Sequence, residues 1–144
     1  MTFIPRRGLL AIASAVDIAL RTEPRPLSAK QLAARYGLAT RHLEPLLQDL
    51  VHAGILKGMR GPRGGYALGR DMSRINLAQI LAIALKSPDQ HDEPYVNDDL
   101  VRNVIMPALD DAERMMTDEI GRISLGDLIE RAVAAGLQPR PDPA

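Results

Sequence analysis

The heptapeptide Arg60-Gly61-Pro62-Arg63-Gly64-Gly65-Tyr66 leaves its backbone few options. Glycines at 61, 64 and 65 admit positive φ, Pro62 stiffens one corner, and two arginines ride on the tip. The flanks, Ile55 to Met59 and Tyr66 to Leu68, read as strands, so the stretch is a hairpin tip carrying positive charge. Two helical segments joined by a glycine turn precede it. A basic hairpin directly after such a pair is the layout of a winged helix, whose wing lies along a nucleic-acid backbone. The fold class expected is mainly α: a winged helix-turn-helix domain with a two-stranded β wing, plus a long C-terminal dimerisation helix.

The helical pair begins after a proline-bearing linker, Glu23 to Pro26. Ser28 followed three residues later by Gln31 is a capping box, and Gly37 supplies a left-handed turn residue after Tyr36. Ala33 is small where two helices would cross, and Leu32, Tyr36, Leu38, Leu43 and Leu46 take the inward positions. The second helix, Thr40 to Ala53, is the expected recognition helix. Thr40, Arg41, His42 and Glu44 lie in its first turns on positions the core does not need, where arginine can pair with a guanine edge and glutamate can accept from cytosine. An ordinary surface histidine and a glutamate favoured by the helix dipole would look the same. Pro45 lies just inside this helix and removes one amide donor, yet a start near Ala39 or Thr40 limits the loss to one early bond, with a bend at the start. Gly54 ends the helix.

Charge is unevenly spread. Residues 1 to 75 hold twelve basic residues against five acidic ones, a net +7, and the remainder carries −7. With arginines on the wing and on the helix-turn-helix, the split favours a polyanionic partner for the first half. Two solvated faces of opposite sign would also produce it. There is no cysteine, which excludes disulfides, thiolate metal sites and cysteine-ligated iron-sulfur clusters.

Arg6-Arg7 before an apolar run superficially resembles a signal peptide, but Asp17 follows at once. Leu9, Ile12, Ala13, Val16, Ala19 and Leu20 repeat at helical spacing, which predicts a core-packing helix from about Arg7 to Arg21. No stretch reaches the roughly 18 apolar residues of a membrane span, so a cytoplasmic protein without membrane contact is expected.

Leu38 to Leu50, Ala53-Gly54-Ile55-Leu56 and the stretch Arg60 to Leu68 together resemble the Rrf-two family of bacterial winged-helix transcription regulators. The resemblance runs from the N-terminal helix to Ile123-Ser124-Leu125-Gly126-Asp127-Leu128, and the Arg-Gly-Pro-x-Gly-Gly-Tyr wing is its most specific part. It implies a recognition helix in the major groove and a wing in the minor groove. Thr40, Arg41, His42, Glu44, Arg60, Gly61, Pro62 and Arg63 would then face DNA, with Ser28 and Gln31 counted beside them. Two departures matter. Sensory members carry three cysteines in the loop after the next helix, where this chain reads Ser87-Pro88-Asp89-Gln90-His91-Asp92-Glu93-Pro94, so cluster sensing does not transfer. Members also often cap the recognition helix with serine where Ala39 stands, which leaves that role to Thr40.

Beyond the wing, Asn76 with Gln79 starts another helix, whose run Leu77 to Leu85 packs on the winged-helix core. Asp89, His91, Asp92 and Glu93 are possible divalent-cation ligands, but adjacent ligands in a loop make a poor preformed site, and no metal is expected. From Asp98 to Arg122 a long amphipathic helix carries Val101, Ile105, Ala108, Ala112, Met115 and, beyond it, Ile123 on one stripe, the expected dimer interface. Folding back onto its own winged helix would instead give a monomer. Pro107 should kink this helix or begin a second one. Ser124 with Asp127 caps a last helix to about Ala135, and Gly136 stops it. The expected organisation is 1–86 for the DNA-binding domain, 87–97 for the acidic loop, 98–137 for the dimerisation and C-terminal helices, and 138–144 for a disordered tail.

Three function classes are open to these residues. A homodimeric, sequence-specific transcription regulator, a repressor reading a palindromic operator in double-stranded DNA, accounts for most of them. A winged helix used for protein contact, without sequence-specific DNA binding, is the alternative. An enzyme has no support: Ser28, His42 and Asp49 form no recognisable nucleophile arrangement, and Gly61 to Gly65 lacks the ending of a phosphate loop. No cofactor is implied. The effector, a small molecule or a protein if there is one, is not legible; Met106, Met115 and Met116 offer an adaptable pocket lining or plain core.

Overall fold

A computed structural model describes residues 3–21, 25–86 and 98–137. The acidic loop and the proline-rich tail lie outside the described residues. In chain order the elements are α1 (Arg6–Ala19), α2 (Ala29–Tyr36), α3 (Thr40–His52), β1 (Leu56–Met59), β2 (Gly65–Leu68), a 3₁₀ turn (Met72–Arg74), α4 (Leu77–Ala84), a π-helical turn (Val101–Ile105), α5 (Met106–Gly121) and α6 (Leu125–Ala134). The protein is mainly helical with a two-stranded antiparallel wing, as the hairpin signature implies.

One leucine-rich core joins these pieces. Leu43, Leu46, Leu47 and Leu50 present the inner face of α3, and Leu27, Leu32, Ile55, Ile75, Ile80 and Leu125 meet it from the other elements, each 2% exposed or less. Burying such a side chain contributes about 1.5–3 kcal/mol, which gives the domain its main cohesion.

The buried face of α1 differs from the expected one. Gly8, Ala11, Ser14, Ala15 and Ile18 go inward, while Leu9 is 50% exposed. The helix is apolar nearly all round, so spacing alone cannot choose its inner side. Small residues face inward instead: a Cβ at Gly8 would lie 2.7 Å from Leu81 Cδ2, so α1 rests closely on α4 and a side chain there would have to displace the end of Leu81. Asp17, buried on this helix, accepts a hydrogen bond from the Tyr36 hydroxyl of α2.

Both later capping boxes are present and they meet. Asn76 and Ser124 cap α4 and α6, and the two starts pair antiparallel, with Leu77 N donating to Ile123 O at 2.9 Å and Leu125 N to Ile75 O at 2.7 Å. The chain therefore returns after α5 to pin α6 on the winged-helix core, with Leu125 fully buried.

Pro107 neither splits the long helix nor ends it. The π-helical turn Val101–Ile105 runs directly into α5, placing the wider winding just where the proline ring would crowd the carbonyl four residues back. None of the residues of α5 is buried. Among the described residues no helix is long and apolar enough to cross a membrane.

Candidate nucleic-acid interface

The wing is built by its glycines. Leu56 pairs with Leu68 and Met59 with Gly65, closing a loop in which Gly64 N donates to Gly61 O at 2.9 Å. Pro62 and Arg63 are the central residues of that turn. Among the described residues only glycines take positive φ, so Arg63 makes the turn type I. Arg60, Gly61, Pro62 and Arg63 are all exposed.

A bridge from a third segment, not expected from the sequence, anchors the wing. Leu27 N donates to Tyr66 O at 3.1 Å and Tyr66 N to Leu27 O at 2.7 Å, so a strand bridge stands between the expected linker and the Ser28 cap. Gly65 makes room for it: with φ 154°, a side chain there would meet the Leu27 carbonyl and lie 2.8 Å from Ser28 N. The Gly-Gly pair was visible in sequence; the strand it accommodates was not.

That bridge brings the start of α2 to the base of the wing. Ser28 and Gln31 are half-buried there and bond each other, Gln31 N donating to Ser28 Oγ at 3.1 Å and Ser28 N to Gln31 Oε1 at 3.0 Å. Their polar atoms first serve the capping box, which satisfies two amides at the helix start.

On α3 the outward face carries Arg41, His42, Glu44, Pro45 and Gln48, all exposed, with Thr40 half-buried. The expected cap at Thr40 is corrected. Ala39 is the N-cap, in extended conformation and without a side-chain bond, and Thr40 is already helical. Only His42 N finds a carbonyl, Ala39 O at 3.0 Å, so the first amides of α3 stay available to an anion such as a DNA phosphate. Pro45 leaves the helix intact from Thr40 to His52.

The outward face of α3 reaches the wing strand. Gln48, two turns along α3 from Arg41, donates through Nε2 to the Tyr66 hydroxyl of β2 at 3.0 Å. The arrangement offers a helix face, an uncapped helix start and a cationic turn to one extended anionic ligand.

On α5, Val101 is half-buried and Ile105, Ala108, Ala112 and Met115 are exposed, but Ile123 packs against the chain's own core and its carbonyl is engaged by Leu77. Leu100, Val104 and Leu109, not singled out in sequence, and Met116, read there as pocket lining or plain core, are exposed on the same long helix, each by 40% or more. Leu109, Ala112 and Met116 also line a groove of about 670 Å³ against Ala78, Leu81 and Leu85 of the α4 region. Among the described residues no group of three histidines or carboxylates is placed to hold a metal.

Comparison with known proteins agrees with this geometry. Residues 4–131 match the model of the Rrf2 family, described as an iron-dependent transcriptional regulator. The chain is 29% identical over 140 residues to the HTH-type transcriptional regulator IscR of Xenorhabdus nematophila, covering 94% of this chain and 84% of that one. Among solved structures, T. potens IscR is similar with a TM-score of 0.72 and 25% identity over 92% of this chain and 89% of that one. CymR, the global cysteine regulator of B. subtilis, gives 0.65 and 26% over 91% and 98%.

Proposed function

Because the chain belongs to the Rrf2 family of DNA-binding transcription regulators, proteins that are not enzymes, we propose that it is a homodimeric repressor reading a palindromic operator. Residues 1–86 serve as the DNA-binding unit and the segment 98–137 supplies the dimer contact, with α6 tied back to the first unit. In each subunit α3 enters the major groove and Arg60 to Arg63 follow the adjoining minor groove. Arg41, His42 and Glu44 face base edges. Arg60 and Arg63 neutralise phosphates, while Ser28 and Gln31 lie at the backbone beside the wing.

The observation that supports this reading most is the Gln48 to Tyr66 hydrogen bond at 3.0 Å, which joins the outward face of α3 to the wing strand. Dimerisation is supported by α5, an amphipathic helix of about 24 Å with no buried residue of its own. Paired across a two-fold axis through Val101, Ile105, Ala108, Ala112 and Met115, two subunits would present recognition helices about 34–36 Å apart.

The iron of the family's description has no thiolate ligand here, since the chain contains no cysteine. A cysteine-ligated cluster does not fit these residues, and any effector acts by other chemistry. The test is selection of bound duplexes from a random-sequence pool. A two-fold symmetric consensus with half-sites one helical turn apart is expected; recovery of no shared sequence would favour a protein-contact role for the wing.

A further inference from the structure

Recognition helix and wing are separate elements, connected through the turn at Ala53 and Gly54, and their mutual angle decides whether both reach one duplex. A single side-chain bond spans them, Gln48 Nε2 to Tyr66 Oη at 3.0 Å. Its two ends differ in exposure. Tyr66 is 8% exposed, and its backbone is held on both sides, by Gly58 in β1 and by the two hydrogen bonds to Leu27. Gln48 is exposed and stands on the outward face of α3 that also carries Arg41 and Pro45. A long polar side chain in that place would ordinarily rotate in water. Here a fixed phenol selects one of its rotamers.

Resting on the DNA-binding reading above, we propose that the Gln48–Tyr66 hydrogen bond sets the angle between α3 and the wing, which makes Gln48 a positioning residue for DNA binding. Its Nε2 is directed at the phenol, so the residue acts through the wing strand and Arg60 to Arg63. Arg41 and Glu44 remain the groups that meet base edges. Loss of the bond leaves both elements folded but lets the cationic turn swing away from the backbone it should follow.

The test uses the full chain and a duplex selected from a random pool by the wild-type protein. Tyr66→Phe removes only the hydroxyl, Gln48→Ala removes only the exposed partner and keeps a good helix former, and the double variant closes the cycle. Each single variant should weaken binding about three- to ten-fold, and the double variant should be no weaker than the weaker single one. Hydroxyl-radical footprints should lose protection along the minor-groove backbone while guanine N7 protection persists, with both single variants still folding cooperatively and melting only slightly lower than the wild type. That split is a readout a purely structural role would not produce. Unchanged affinity in both single variants, multiplicative losses in the double variant, or loss of major-groove protection in Gln48→Ala alone would overturn the proposal. Failure of the wild-type protein to select any duplex would strike the DNA-binding reading itself, a distinguishable result.

Discussion

The guanidinium of Arg7 lies 3.0 Å from the carboxylate of Asp49, and its Nε donates to the Ala84 carbonyl at 2.6 Å, so one side chain of α1 braces α3 from behind and closes the end of α4. The ion pair is partly exposed, 35% and 46% for the two side chains, and a pair so hydrated contributes about 0–1 kcal/mol. The charge-assisted bond to a helix-terminal carbonyl is the stronger half, about 1.5–3 kcal/mol. Arg7→Ala should therefore lower stability in urea by about 2 kcal/mol, and Asp49→Asn by under about 1 kcal/mol. Equal losses in both variants would assign the whole effect to the ion pair.

Gly65 should tolerate no side chain. Its φ of 154° and the Leu27–Ser28 backbone against it both oppose a Cβ, whereas at Gly61, with φ 108°, nothing lies within 4 Å. Gly61→Ala should cost only backbone strain, about 1–2 kcal/mol, and Gly65→Ala distinctly more because the Leu27 bridge must open. Urea unfolding midpoints of the two variants make the comparison. Closely similar losses would show that the bridge adds nothing.

Pro45 gives a substitution expected to stabilise. It is exposed, packs on nothing in the core, and withholds one amide from a helix that is otherwise continuous from Thr40 to His52. Pro45→Ala restores that bond at some cost in unfolded-chain entropy, so stability should rise by about 1–2 kcal/mol. Thermal melts should shift upward; a fall would mean that the proline ring itself holds the start of α3.

These cases show what was legible in the sequence. Local chemistry read well: Ser28 with Gln31, Asn76 with Gln79 and Ser124 with Asp127 each form the capping box their spacing announces. The hairpin, the glycine turns and the recognition helix did too, because each is set by residues close in the chain. What escaped depends on distant partners. The strand character of Leu27 exists only because β2 lies beside it, and the inner face of α1 is the one on which Gly8 meets Leu81. Arg7, part of the positive surplus in the first half, is engaged by Asp49 and the Ala84 carbonyl of its own chain, and Ile123 lies on its own core rather than on the outward stripe of α5. At the candidate interface the residue types of α3 and the wing were readable, but the Gln48 to Tyr66 bond was not, since nothing in the order of residues relates the two side chains.

The dimer contact can be broken without touching the core. Met115 is 72% exposed in the single chain, so Met115→Glu should leave the fold intact while placing a carboxylate in the paired α5 seam. Sedimentation at micromolar concentration should report a dimer for the wild type and a monomer for the variant, and only the wild type should melt at a concentration-dependent temperature. A wild-type protein that sediments as a monomer would contradict the pairing.

Most direct is a salt titration of binding to the selected duplex between about 50 and 200 mM, with wild type, Arg41→Ala, Arg60→Ala and Arg63→Ala compared. Wild-type affinity should fall steeply; each wing variant should bind more weakly on every sequence and reduce the slope of log K against log salt by about 1. Arg41→Ala should relax preference at one base pair and cost about 1–3 kcal/mol on the selected site. Equal affinity and equal salt slope for the wild type and both wing variants would contradict a wing that lies along DNA.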